Sequence, residues 1–181
     1  MNLNVIDSHL SIQSLEKYDN GDTFIETGTY KGDTVKLALS RGYKLIHTIE
    51  LDDELYKNAV EMFKDEPRVK VWHGDSIDRL KEIVPTIEGP ATFWLDAHAS
   101  GPLVGGKSGP APVLDELDII AEHPCKEHTI FIDDCRLFDT GEWAFVKKVD
   151  AVKKIDQINP EYDIIYLDGH IREDVMCVTI K

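Results

Sequence analysis

A glycine-containing bend with a carboxylate in front of it is the first feature of the sequence that could do chemistry. It joins an apolar run to a helical run and reads Glu26-Thr27-Gly28-Thr29-Tyr30-Lys31-Gly32-Asp33-Thr34. Glycine lets the backbone approach a ligand, and the start of the following helix directs free N–H groups towards it. A dinucleotide site requires the closer spacing GxGxxG, whereas a leading carboxylate suits a cationic or amine-bearing ligand. The alternative is an ordinary tight turn.

Two further turns carry acids where apolar runs end. The run Leu45–Glu50 ends in a carboxylate about 20 residues after the bend, which is the spacing of a ribose-binding acid. A carboxylate only accepts hydrogen bonds and can take both ribose hydroxyls. After the next apolar run, Asp75 and Ser76 open a helix, where they either contact an adenine amine or cap the helix. Together with the bend, these acids predict a nucleoside site.

A second group of acids follows two later apolar runs. Asp96 and His98 come after the fourth run, and Asp133 with Asp134 after the fifth. Ligands of open α/β sheets bind outside the carboxyl ends of the strands, so these side chains are predicted to converge. Three carboxylates in one cleft repel one another and must be neutralised by protonation or by a hard cation. Oxygen-only ligands favour Mg²⁺, Mn²⁺ or Ca²⁺ over zinc.

The elements that position these residues alternate between short apolar runs and amphipathic stretches, as in repeated βα units. Strands are predicted at 23–27, 44–50, 69–73, 91–96, 128–133, 162–167 and 174–180, and helices at 32–41, 53–65, 76–84, 112–122 and 145–157. Few residues separate the last two strands, which predicts a hairpin and an antiparallel edge strand. The expected fold is a doubly wound, mostly parallel seven-stranded α/β sheet, with residues 1–181 forming one domain.

Three of these turns resemble the first three motifs of class I S-adenosylmethionine-dependent methyltransferases, with matching order and spacing over roughly residues 22–135. The bend is most similar to the Glu-x-Gly-Thr-Tyr-x-Gly form of catechol- and caffeoyl-CoA-type O-methyltransferases. The resemblance implies a Rossmann-like fold, with Glu26, Gly28 and Gly32 beside the methionine part of the cofactor. The full set of cofactor-binding residues that it implies is Glu26, Gly28, Thr29, Tyr30, Gly32, Thr34, Glu50 at the ribose, Leu51, Asp75 and Ser76 at the adenine, and Asp96.

In the metal-dependent members of that family, acids at the fourth and fifth strand ends hold a divalent cation that anchors the acceptor hydroxyl. The resemblance therefore implies that Asp96, Asp133 and Asp134 bind Mg²⁺ or another divalent cation. Asp96 and His98 are the implied catalytic residues, with His98 as general base. Alternatively, His98 supports a metal ligand without reacting itself or simply lies at the surface, and Asp134 is an acidic loop residue that binds no metal. The expected activity is methyl transfer to a hydroxyl oxygen of a small molecule.

The chain also departs from that family. Only about 22 residues precede the first predicted strand, so the helices that usually cover the acceptor are expected to be missing. The acceptor would then be held by the loop 99–112, by the loop 135–144 or by a neighbouring subunit, which leaves a homo-oligomer open. Because fold resemblance does not choose a substrate, the acceptor stays unidentified.

Charge and composition restrict the partners. The formal net charge of −14 predicts repulsion of phosphate backbones, so nucleic acid is not an expected partner. The sequence has no apolar run long enough for a membrane helix and no basic, apolar leader, so a cytoplasmic protein without membrane contact is expected.

One competing motif occupies residues 101–108, which match the phosphate-loop pattern GxxxxGK[ST]. Its context argues against a nucleotide-hydrolysing enzyme, because the motif does not directly follow a predicted strand and Pro110 and Pro112 prevent a helix after it. A glycine-rich flap over the substrate is the other interpretation. A third hypothesis is a domain that binds S-adenosylmethionine or a partner without catalysis.

Overall fold

The computed structural model describes residues 9–98 and 109–180. Within them, strands form one sheet in the order β3-β2-β1-β4-β5-β7-β6. The strands are β1 (Thr23–Thr27), β2 (Leu45–Glu50), β3 (Val69–His73), β4 (Thr92–Leu95), β5 (Thr129–Ile132), β6 (Tyr162–Leu167) and β7 (Val175–Ile180). The predicted doubly wound α/β sheet is therefore confirmed. The first and last residues of each strand lie within one residue of their predicted positions.

Helices cover both faces of this sheet. They are α1 (Ile12–Tyr18), α2 (Asp33–Arg41), α3 (Asp53–Phe63), α4 (Ser76–Ile83), α5 (Val113–Glu122) and α6 (Lys148–Ile158), with 3₁₀ turns at Val84–Thr86 and Cys135–Leu137. The prediction missed α1, which is short and buries Leu15 alone. It also began the last helix too early, since Ala144 and Phe145 have positive φ angles that a helix cannot contain.

The sheet reverses its order between β1 and β4, and open α/β sheets have their ligand-binding crevice at such a reversal. β1 pairs in parallel with both β2 and β4, and β4 pairs in parallel with β5. The helices α2 and α5, which come after β1 and β4 in the chain, pack in different core layers and therefore on opposite faces of the sheet. The bend after β1 and the acids after β4 and β5 therefore lie at one edge of the sheet.

The hairpin predicted at the end of the chain is confirmed. β7 pairs antiparallel with β6, from Tyr162 opposite Ile180 to Leu167 opposite Val175. β7 also pairs antiparallel with β5. The strand that reverses direction thus lies between β5 and β6, and the turn that precedes it brings residues 168–174 to the end of β5.

The core consists of two apolar layers, one on each face of the sheet. Alternate residues of β5 enter different layers: Ile130 and Ile132 pack on one side and Phe131 on the other. Leu15 of α1 is fully buried in the second layer beside Phe24. Packing of α1 against that face places the start of the described chain next to the crevice. None of the helices in residues 9–98 and 109–180 has the length and apolar character needed to cross a bilayer.

Asp52 caps α3, since its carboxylate accepts hydrogen bonds from the N–H groups of Glu54 and Leu55 at 2.8 and 2.9 Å. We expect Asp52→Ala to lower the free energy of unfolding by about 1 kcal/mol, because two helix-end donors lose their acceptor. Urea denaturation measures this change. The matched control is Asp53→Ala, which removes an exposed carboxylate from the same turn and leaves the cap intact; an equal loss in both variants would contradict the capping role.

Candidate functional site

The bend after β1 needs glycine at Gly28 for two reasons. Gly28 has a φ angle of +94°, and a Cβ atom there would lie 2.7 Å from the carbonyl oxygen of Asp96. Its N–H donates to the carbonyl of Ile49 at 3.0 Å. The bend is therefore pressed between the ends of β2 and β4. Gly28 brings the predicted cofactor bend against the first residue of the predicted metal site.

Gly32 has a different local explanation. It has a φ angle of +71° just before α2, and a Cβ atom there would lie 2.9 Å from the ring of Phe63 on α3. Close packing of two helices therefore accounts for this glycine. Its predicted place beside the cofactor stays a prediction.

Glu50 lies at the end of β2 and faces the bend. Its Oε2 accepts a hydrogen bond from the N–H of Tyr30 at 2.8 Å, and its Oε1 accepts one from the N–H of Asp52 at 2.9 Å. The side chain is buried at 7% exposure, while the adjacent Leu51 is exposed. Two backbone donors thus fix the carboxylate and leave it further lone pairs for a ligand hydroxyl. Glu50 is therefore hydrogen-bonded to the bend through Tyr30, and its predicted contact with ribose stays a prediction.

Glu26 is buried beneath the bend and bonded to threonine hydroxyls. The hydroxyl of Thr48 donates to its Oε2 at 2.5 Å, so the hydroxyl of Thr29, 2.5 Å from that of Thr48, donates to Thr48 in turn. Thr34 on α2 also bonds to Glu26. Burial raises the pKa of Glu26 to about 8, and the negative charges of Asp96 and Glu50 add to the rise. A cationic ligand in the crevice would relieve this repulsion.

We expect Glu26 to impose a pH dependence on stability. In the unfolded chain it ionises near its ordinary pKa of 4.5, and in the folded chain near about 8. The folded state binds more protons between these values, so the free energy of unfolding falls as pH rises through that window. In Glu26→Gln the fall should be shallower by about 1 kcal/mol per pH unit. Urea denaturation at several pH values measures the slope, and an unchanged slope beside the exposed control Glu54→Gln would contradict the burial of this carboxyl.

The predicted adenine residues begin α4. Asp75 accepts a hydrogen bond from the N–H of Ile77 at 3.0 Å and so caps the helix. Capping was one of the two predicted alternatives for this residue. Ser76 is buried and bonds to Glu116 of α5. Adenine contact by either residue stays a prediction.

Glu116 is a site residue that the sequence interpretation missed. It is 1% exposed, and burial raises its pKa to about 7 against hydrogen bonds from Ser76 and Thr27. Its carboxyl therefore connects α5 to the end of β1 and to the start of α4. The available signal was an acid on the apolar face of α5, one residue before the fully buried Leu117.

The acids after β4 and β5 converge around His98. Its Nδ1 lies 3.2 Å from Asp96 Oδ1, and its Nε2 lies 2.9 Å from Asp134 Oδ2. Asp134 adopts a left-handed backbone conformation with a φ angle of 54°, which is uncommon for a residue with a side chain and is frequent at functional sites. The three residues form one group whose ligand atoms lie within 4.8 Å of one another.

Two basic residues complete the cluster. His9 Nδ1 lies 2.7 Å from Asp133 Oδ2, and Arg136 forms ion pairs with both Asp134 and the buried Asp174. The sequence interpretation expected protonation or a hard cation to neutralise the carboxylates, and the structure shows basic side chains among them. His9 carried no signal in the sequence, because it lies far along the chain from every motif and reaches Asp133 only through the packing of α1.

The local charges set the protonation of this cluster. Burial alone would lower the pKa of His98, but hydrogen bonds to Asp134 and Asp96 outweigh it and raise the pKa to about 10. Burial raises the pKa of Asp96 to about 6 against the opposing effect of His98. His98 thus holds its proton in this arrangement. The general-base role predicted for it requires that proton to be displaced.

A third group of metal-ligand side chains lies at the opposite end of the sheet. His123, Cys125 and His128 are close enough to share an ion. However, His128 Nδ1 accepts the N–H of Ala91 at 3.1 Å, which leaves the proton on Nε2, and that nitrogen lies 3.1 Å from His123 Nδ1. His123 Nε2 lies 3.1 Å from the carbonyl of Ile87. Because the ring nitrogens are used in hydrogen bonds, this group is a structural network.

The strand order is that of a Rossmann-like fold. No protein-family model and no curated protein sequence matches the chain. A protein described as a candidate rRNA methylase from Clostridium thermocellum has a TM-score of 0.66 at 12% identity, over 94% of this chain and 95% of that one. An O-methyltransferase from Bacillus cereus, in complex with S-adenosylhomocysteine, has a TM-score of 0.60 at 15% identity, over 88% and 74%. Spermidine synthase from Thermotoga maritima has a TM-score of 0.58 at 12% identity, over 88% and 53%.

The chain therefore has the fold of class I S-adenosylmethionine-dependent methyltransferases, as the motifs predicted. The matched structures carry different chemistries on one fold, so the reaction has to be argued from the residues of the site.

Proposed function

We propose that this protein is an S-adenosylmethionine-dependent methyltransferase that methylates a hydroxyl oxygen of a small molecule with the help of a divalent cation. The observation that carries the proposal is the fixed position of Glu50, held against the Gly28 bend by the N–H groups of Tyr30 and Asp52. A carboxylate at this place on a methyltransferase fold is suited to the two hydroxyls of a ribose.

The charge of the crevice supports a cationic cofactor. Burial is the main cause of the raised pKa of Glu26, and the nearby negative charges of Asp96 and Glu50 raise that pKa further. Such a site favours a ligand with a sulfonium and an ammonium group and disfavours a diphosphate. Together with the net charge of −14, it also disfavours a nucleic acid as acceptor, which leads us to propose a small molecule.

The geometry also supports a methyl acceptor next to the cofactor bend. S-adenosylmethionine would supply an electrophilic methyl group, and a cation bound by Asp96, Asp133 and Asp134 would lower the pKa of an acceptor hydroxyl. The chain contributes alignment, because Gly28 lets the bend approach the Asp96 carbonyl and so joins the two sites. His98, between Asp96 and Asp134, is placed to orient both carboxylates.

A thermal-shift screen against S-adenosylhomocysteine, ATP and NAD, each with and without Mg²⁺, tests the cofactor. We expect only S-adenosylhomocysteine to stabilise the protein, by about 2.7 kcal/mol at 100 times its dissociation constant. Stabilisation by ATP alone would favour the phosphate-loop hypothesis instead; residues 101–108, which carry that motif, lie outside the described residues. The loop 99–112, one of the segments predicted to hold the acceptor, lies largely outside them as well.

Transfer of a labelled methyl group to a panel of catechols and other dihydroxy compounds tests catalysis. We expect Asp133→Ala, at a residue assigned to the cation and not to the cofactor, to lose methyl transfer while retaining S-adenosylhomocysteine binding. Cofactor binding in the wild type without transfer to any acceptor would favour the alternative of a non-catalytic cofactor-binding domain.

A further inference from the structure

Glu116 on α5 has a carboxylate oxygen that is buried without a hydrogen bond to any described residue. Its side chain is 1% exposed, and the hydroxyls of Ser76 and Thr27 donate to the carboxyl. Its Oε1, however, has no hydrogen-bond partner within residues 9–98 and 109–180. Buried polar atoms in proteins are almost always paired, so an unpaired carboxylate oxygen points to a partner that a ligand supplies.

We propose that Glu116 determines the base specificity of the cofactor site, where its Oε1 accepts a hydrogen bond from the amino group of adenine. The inference rests on the proposed function, in which S-adenosylmethionine binds at the Gly28 bend. It adds a residue of α5 to a cofactor set that the motifs drew only from the ends of β1 to β4 and the turns after them.

The two hydroxyls place the carboxyl at the edge of the sheet where the cofactor is proposed to bind. Thr27 is the last residue of β1, and Ser76 is the first residue of α4, which follows β3. In the sheet, β2 lies between β1 and β3 and ends in Glu50. The contacts of Glu116 therefore lie on both sides of the strand that carries the proposed ribose ligand.

The surroundings of Glu116 restrain its side chain. Thr27 Oγ1 accepts the N–H of Asp96 at 3.2 Å, so the proton of this hydroxyl is available to Glu116. On α5, Glu116 follows Val113 by three positions and precedes Ile120 by four, and both of these residues are buried in the core. The carboxyl is therefore held on the apolar face of the helix, beside the end of β1.

The residues first predicted at the adenine are engaged in other contacts. Asp75 accepts the N–H of Ile77 as the cap of α4, and Ser76 donates its hydroxyl to Glu116. Among the buried side-chain atoms without a partner in the described part of the chain, Oε1 of Glu116 is the one carboxylate oxygen. An ionised carboxylate only accepts hydrogen bonds, so its partner must be a donor, and the exocyclic amine is the donor that adenine presents.

The test compares S-adenosylhomocysteine with S-inosylhomocysteine, in which a carbonyl oxygen replaces the adenine amine, by isothermal titration calorimetry on the full chain. Burial raises the pKa of Glu116 to about 7, so at about pH 8 the carboxylate is ionised. We expect the wild type to bind S-adenosylhomocysteine about 100-fold more tightly, because the analogue loses a charged hydrogen bond and turns an oxygen towards the carboxylate.

Glu116→Gln should reduce this preference. Its amide oxygen can accept the two hydroxyls and leave the NH₂ group towards the base. We therefore expect the affinity ratio to fall at least about 10-fold, with S-inosylhomocysteine bound more tightly than by the wild type. Asp115→Asn, at an exposed acid one residue earlier on α5, is the matched control and should keep the wild-type ratio.

The ratio separates specificity from a structural role, because damage to the fold would weaken the binding of both ligands together. Urea denaturation confirms that each variant is folded. Two results would overturn the inference: equal affinities of the wild type for the two ligands, or a folded Glu116→Gln variant that keeps the wild-type ratio. Either result leaves the proposed function standing, because S-adenosylhomocysteine is still bound. A folded wild type that binds neither ligand would instead reject the proposed function and this inference together.

Discussion

Replacing Glu50 by alanine is expected to weaken S-adenosylhomocysteine binding about 100-fold. A hydrogen bond to a charged group contributes about 1.5–3 kcal/mol, and the loss of the contacts to two ribose hydroxyls therefore amounts to roughly 3 kcal/mol. The variant also removes the acceptor for the N–H groups of Tyr30 and Asp52, which hold the bend in place. Isothermal titration calorimetry measures the affinity directly.

The control for this prediction is Glu54→Ala, which removes an exposed carboxylate from the first turn of α3. It should bind the ligand as the wild type does. An affinity of Glu50→Ala within about threefold of the wild type would contradict the assignment of Glu50 to the ribose, since one lost charged hydrogen bond already exceeds that ratio. Glu50→Gln keeps one carbonyl oxygen, so its affinity for S-adenosylhomocysteine should lie between those of Glu50→Ala and the wild type.

Gly28→Ala is expected to destabilise the protein by about 3 kcal/mol, through backbone strain at positive φ and a steric clash. The added Cβ would lie 2.7 Å from the Asp96 carbonyl oxygen, and neither strand end can withdraw without breaking the pairing of β1 with β4. Chemical denaturation of the ligand-free protein measures the loss.

Gly42→Ala separates strain from clash. Gly42 has a φ angle of +97° after α2, and a Cβ atom there would meet nothing within 4 Å. Its substitution should cost about 1 kcal/mol, the penalty of the backbone conformation alone. Equal losses in the two variants would show that the close approach of the bend to β4 is not what requires glycine at Gly28.

The fold was predictable from local patterns. In a parallel sheet the central strands are apolar on both faces, so β4 and β5 stand out in the sequence as continuous apolar runs. Polar residues resume where each strand ends, and this is why Glu50, Asp96 and Asp133 could be assigned to one edge of the sheet.

The rest of the site depends on tertiary packing, which no local pattern records. His9 reaches Asp133 across 124 positions of sequence because Leu15 anchors α1 in the core. The ion pairs of Arg136 with Asp134 and Asp174 depend on the turn that precedes β7, which brings Asp174 to the end of β5. Gly32 was assigned to the cofactor from spacing, and its nearest neighbour in space is Phe63 of α3.

The central claim is that a sulfonium nucleoside binds between the Gly28 bend and Glu50. The most direct measurement is a crystal structure of the protein with S-adenosylhomocysteine. We predict that both ribose hydroxyls lie within hydrogen-bonding distance of the Glu50 carboxylate, with the amino-acid part of the ligand beside Glu26. A well-diffracting crystal in which the ligand is bound elsewhere, or in which Glu50 makes no contact with it, would contradict the account.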